Sequence, residues 1–113
     1  MTRLTKSRFV LGCQCPKLLW WSAHQPEAPE LQPDKVLQDL FDQGHQVGRL
    51  ARQRFPGGIL IDHPHHAYAA RLQATRDAID AGASVIFEGC LEAEGVFVAV
   101  DVLLRTDRTW TLI

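Results

Sequence analysis

The sequence predicts an α+β domain in which helices pack on an antiparallel β-meander, and three observations carry that prediction. Val96, Val98, Val100, Val102 and Leu104 alternate with Phe97, Ala99, Asp101, Leu103 and Arg105, the period-two signature of a strand. A second β-rich run, Ser84 to Ala93, precedes it across Glu94-Gly95, where Gly tolerates the positive φ that a type I′ hairpin turn requires. Upstream, apolar residues recur at helical spacing, with one short apolar run among them. Helices first and a meander last is the order of an α+β domain.

Taken in order, Thr5 and Ser7 are suited to capping an early turn, and Pro16 to the first turn of a helix reaching about Ala23. Trp20 and Trp21 point about 100° apart on that helix, so they cannot both face one core. Pro26, Pro29 and Pro33 among polar residues mark a loop. Asp34 is placed to cap a helix carrying Val36, Leu37, Leu40, Phe41, Val47, Leu50 and Ala51 up to about Arg54. Gly44 and Gly48, one turn apart, suit close backbone packing, and no phosphate-loop pattern surrounds them. Arg49, Arg52 and Arg54 read as a solvated face complementing the helix dipole.

Pro56-Gly57-Gly58 ends that helix, and Ile59-Leu60-Ile61 is a short strand. Asp62-His63-Pro64-His65-His66 is rich in metal-capable residues but lacks a second ligand pair at zinc-finger spacing, so it reads as a polar loop. Tyr68, Leu72, Thr75 and Ile79 form the stripe of a helix packing on the sheet, and Gly82 sits where its C-terminal cap belongs. Trp110 to Ile113 supplies the third meander strand after a turn at Asp107-Arg108.

The candidate site follows from hairpin arithmetic. A two-residue loop at Glu94-Gly95 keeps the sum of paired residue numbers at 189, which sets Glu88 opposite Asp101. Directly opposed side chains lie about 4.5 to 5.5 Å apart at Cβ, where like charges repel. A bound cation explains such a pair, since hard divalent ions favour clustered carboxylates. A solvated sheet face, or a register shifted by one residue, explains it without a ligand. A turn centred on Asp107-Arg108 pairs Arg105 with Trp110 and Leu103 with Thr111 or Leu112, depending on loop length; with a two-residue loop the sum is 215, which would place position 114 opposite Asp101.

The totals narrow the classes. The 113 residues suit a single domain, and 46% hydrophobic content is enough for a core. A net charge of -1 gives no global basic field, although twelve Lys and Arg can still line a local groove. No run of about 18 apolar residues and no signal-peptide pattern is present, so a cytoplasmic protein without a membrane span is expected. Cys13, Cys15 and Cys90 are an odd set, best read as reduced thiols. Trp110 to Ile113 reads as a strand just begun, so residues 1–113 are expected to be the N-terminal fragment of a larger protein. The edge left at that strand invites dimerisation.

The element order, Asp101 in the second meander strand and the following Trp110-Thr111-Leu112-Ile113 resemble the core of the PD-(D/E)XK nuclease superfamily. Leu4-Thr5-Lys6-Ser7, Cys15-Pro16-Lys17-Leu18-Leu19-Trp20, Gly44-His45-Gln46-Val47-Gly48 and Phe55-Pro56-Gly57-Gly58 are similar to a bacterial family related to RecB-type and CRISPR-associated exonucleases. The resemblance implies a restriction-endonuclease-like core and metal-dependent hydrolysis of nucleic acid, DNA being the expected polymer. It makes Asp101 the metal-binding and catalytic aspartate and Glu88 its acidic partner, with Mg²⁺ or Mn²⁺ as the cofactor. The Glu-x-Lys of the superfamily has no match here, so the 113 residues alone are expected to be inactive. Gly48 stands where relatives carry a metal-binding His, which leaves room for a non-catalytic nucleic-acid or protein binding module of the same fold. Cys15 resembles a cysteine that in some relatives helps hold an iron-sulfur cluster. The partner cysteines are absent, so packing is the role expected of Cys15.

Overall fold

The computed structural model describes residues 3–113. Strand β1 (Leu4–Thr5) runs into helix α1 (Lys6–Gln14), whose N-terminus is capped by the Thr5 side chain accepting from the Arg8 N–H at 3.3 Å. Helix α2 (Pro16–His24) follows with Pro at its start, and a short 3₁₀ turn (Pro29–Leu31) interrupts the Pro-rich loop. Asp34 caps α3 (Lys35–Arg54), its Oδ1 accepting from the Leu37 N–H at 2.8 Å. Strand β2 (Ile59–Leu60) leads to α4 (Tyr68–Asp80), after which Gly82 at φ 83° turns the chain into the sheet. The meander is β3 (Val85–Ala93), β4 (Val96–Thr106) and β5 (Thr109–Leu112).

The fold is α+β as expected, but the sheet is mixed. β3, β4 and β5 form the antiparallel meander, while β1 pairs parallel to β4 and β2 parallel to β3. Parallel neighbours need a crossover, and α4 supplies it between β2 and β3. β1 and β5 share the outer edge of β4, at Val96–Phe97 and at Leu103–Thr106 respectively. Beyond the β5 ladder, Val102 and Ile113 exchange backbone bonds of 3.1 and 2.9 Å.

Ile86 is fully buried at the sheet centre and clusters with Ile61, Ala78, Val100 and Leu103. The buried face of α4 is Arg71, Thr75 and Ala78. Thr75 ties this helix to β3: its hydroxyl donates to the Arg71 carbonyl at 2.8 Å and accepts from the Cys90 N–H at 2.9 Å. That pair of bonds satisfies an N–H on the stretch of β3 beyond the two-residue reach of β2.

Helix α3 departs from the expectation that the helices pack on the sheet. None of its side chains is buried, and Val36, Leu40, Phe41, Val47 and Leu50 are all exposed. No helix of the described residues is long and apolar enough to cross a membrane.

Candidate functional site

The hairpin register is the expected one, with a local break where the acids stand. Glu94 and Gly95 both take positive φ, 52° and 78°, as the type I′ turn demands. Pairs on both sides of the acids keep the 189 sum, Phe87 facing Val102 and Gly89 facing Val100. Between them Glu88 adopts φ 59°, so the ladder skips the Glu88–Asp101 step without shifting register. A non-glycine residue in the left-handed region costs about 1 to 2 kcal/mol. Strain of this kind clusters at functional sites.

Glu88 is half-buried and Asp101 exposed, and both open onto the same two clefts. The first, about 440 Å³, is walled by the start of α1 (Lys6, Ser7, Arg8), by His65, Tyr68 and Arg71, and by Phe97 and Ala99 of β4. The second, about 710 Å³, lies against the apolar side of α3, with His45, Gly44 and Gly48 in its wall and His65 again beside the acids. Two carboxylates therefore share a space with the cations Lys6 and Arg71 nearby.

Arg71 is 5% exposed and lines the first cleft. Its guanidinium donates to the His65 carbonyl at 3.1 Å and lies 5.2 Å from the Phe97 ring centre, a cation–π contact. Among the described residues the ion pair within 4 Å is Arg3 with Glu92, at 2.7 Å, so Arg71 keeps its charge inside without a contacting carboxylate. The hydrogen bond to the His65 carbonyl and the cation–π contact are what offset its desolvation.

Cys90, two residues beyond Glu88, is 2% exposed and its thiol donates to the Glu88 carbonyl at 3.3 Å. Burial pushes the thiol pKa up, with the Glu88 charge adding to the rise and Arg71 opposing it. The unfolded chain thus loses this proton at lower pH than the native one. The contribution of Cys90 to stability is complete below the ordinary thiol pKa and is lost as pH rises through the raised value. Mass-spectrometric alkylation at pH 8 is expected to label exposed Cys13 quickly and Cys90 only on unfolding; equal labelling would contradict the buried placement.

Of the other residues singled out from sequence, His65 reaches both clefts, whereas Asp62, His63 and His66 line neither. Cys15 is half-buried at the junction of α1 and α2. Lys6, Ser7, Tyr68 and Arg71 were not foreseen as site residues. Lys6 and Ser7 arrive there because β1 docks on β4, and a two-residue strand has no periodicity to read. Among the described residues no group of three or more His, Cys, Asp and Glu is arranged to hold a metal ion.

Replacing Glu88 by glycine is expected to stabilise the fold by about 1 kcal/mol, because it relieves the left-handed strain and removes one of two like charges, less the flexibility cost of glycine in a strand. Thermal unfolding measures this. A loss of stability would mean that Glu88 serves the fold rather than a ligand.

Searches against family models, curated proteins and solved structures give no match to this chain.

Proposed function

We propose that Glu88 and Asp101 hold a Mg²⁺ or Mn²⁺ ion in a PD-(D/E)XK-like nuclease core, and that this core serves hydrolysis of phosphodiester bonds in nucleic acid, DNA being the expected substrate. The observation that supports this most is the pair itself: two carboxylates from adjacent strands at one register step, opening onto shared clefts, with Glu88 held in a costly backbone conformation. The donor set fits the ion. Mg²⁺ is commonly held by one or two carboxylates, keeping waters and substrate phosphates as its remaining ligands. It does not fit zinc, which asks for three or four protein ligands, mostly nitrogen and sulfur.

Bound there, the ion would supply an activated water and charge neutralisation at the phosphate. The chain's own part is to fix the two carboxylates on adjacent strands and to bring Lys6 and Arg71 into the same cleft, where they attract an anionic backbone. The Glu-x-Lys pattern is unmatched, so the 113 residues are expected to bind and not to cut.

A non-catalytic binding module is the second reading, favoured because, among the described residues, no group of three or more His, Cys, Asp and Glu is arranged to hold a metal ion. Fluorescence anisotropy with a labelled single-stranded oligonucleotide at low salt separates the two. The nuclease-core reading expects binding that Mn²⁺ strengthens and EDTA reverses. Binding indifferent to EDTA selects the nucleic-acid module, and binding of neither Mn²⁺ nor DNA leaves a protein-binding role.

A further inference from the structure

Helix α3 carries the largest unsatisfied feature of the molecule. It is 20 residues long, roughly 30 Å, and buries no side chain, yet its apolar residues fall on one stripe. Leu40 is 56% exposed, Val47 64% and Leu50 62%. Leu37, Gly44 and Ala51 recur at seven-residue steps with Leu40 and Val47 between them, the spacing of a helix-pairing seam.

We infer that this stripe pairs with the α3 of a second copy of the chain, antiparallel, about a two-fold axis at Gly44. A two-fold there opposes residues whose numbers sum to 88, and the centre of the stripe is self-complementary under that rule, while Leu50 meets Gln38 and Val36 meets Arg52. Leu37 meets Ala51, Leu40 meets Gly48, and Phe41 meets Val47, each a larger side chain against a smaller one. Gly44 meets itself, and a Cβ placed on it would find nothing within 4 Å in the monomer, so the axis has room for close approach.

Charge fixes the direction. The first half of α3 and its cap carry Asp34, Asp39 and Asp42 against Lys35, and the second half carries Arg49, Arg52 and Arg54 with no acid. Antiparallel pairing sets acidic half beside basic half, with Asp34 of one copy level with Arg54 of the other and Asp39 level with Arg49. Parallel pairing would set like beside like. The isologous geometry is that of the commonest oligomers, a C2 dimer. Leu40, Gly44, Val47 and Ala51 of this stripe also line the cleft that ends on Glu88 and Asp101, so the second helix would occupy the α3 side of that cleft and leave the α1 side as the route to the acids.

Sedimentation equilibrium of the 113-residue protein tests this, with circular dichroism as the check on folding. A dimer is expected that weakens with salt, since the flanking charges are exposed and screened. Gly44→Glu improves helix propensity within one chain but opposes two like charges across the axis, so helicity should hold or rise while the dissociation constant grows at least about 10-fold. Arg49→Glu, which sets an acid level with Asp39 of the other copy, should weaken the dimer in the same direction. A monomeric wild type overturns the inference. So does a dimer that survives Gly44→Glu, which would place the interface elsewhere, the β5 edge at Trp110–Ile113 being the first place to look.

Discussion

Asp101→Asn is expected to lower Mn²⁺ affinity by about 100-fold or more, above the 10- to 100-fold range typical of losing a group that only orients a ligand. Asp101 is exposed, and its neighbours Val100 and Val102 hold the strand by packing, so the substitution should leave the fold intact. Asparagine keeps the size and one oxygen acceptor but removes the charge that a hard divalent ion needs. Calorimetric titration compares the two proteins directly. Unchanged affinity would move the cation away from Asp101 and remove the main support for a nuclease core.

The second large effect lies in the sheet. Ile86→Ala is expected to cost about 3 to 4 kcal/mol, within the 2 to 5 kcal/mol range for a buried isoleucine. Ile86 is fully buried, pairs with Ile59 of β2 on one side and Leu103 of β4 on the other, and clusters with Ala78 of α4. Three elements meet on it, so the space left by truncation cannot close by a local shift. A domain stability of about 5 to 15 kcal/mol makes that a large fraction of the total. Urea unfolding should show a much lower midpoint at unchanged slope; a loss under about 1 kcal/mol would mean the sheet centre is packed otherwise.

The meander was legible because its signals are local. Glu94-Gly95 marks a two-residue turn, and a turn of known length fixes register, so the 189 pairing follows directly; Asp107-Arg108 leaves Leu103 facing Thr111 or Leu112, and the structure selects Leu112 and the 215 sum. The caps at Thr5 and Asp34 were legible for the same reason. What escaped was non-local. The docking of Leu4–Thr5 on Val96–Phe97 joins residues some ninety positions apart and leaves no mark on either segment. The parallel sense of β2 against β3 also escaped, since a strand-helix-strand order permits a parallel pair by way of α4 but does not require one.

The site was half legible. Opposition of Glu88 and Asp101 could be counted from the turn, whereas the left-handed Glu88 could not, because nothing in Phe87-Glu88-Gly89 demands positive φ at a residue with a Cβ. Arg71 belongs to the site through its burial against Phe97, a contact between α4 and β4 that no motif announces. Helix α3 was legible as a helix, but periodicity reports that a face is apolar and says nothing of what covers it.

The proposed chemistry requires the two opposed carboxylates to form one cation site. Paramagnetic broadening of amide resonances by substoichiometric Mn²⁺ tests it most directly, because the effect is confined to residues near the ion. Selective loss of signals is expected around Glu88 and Asp101 in wild type, extending to His65, and none of this in the Asp101→Asn protein. Broadening centred elsewhere, or none up to millimolar Mn²⁺, would contradict it.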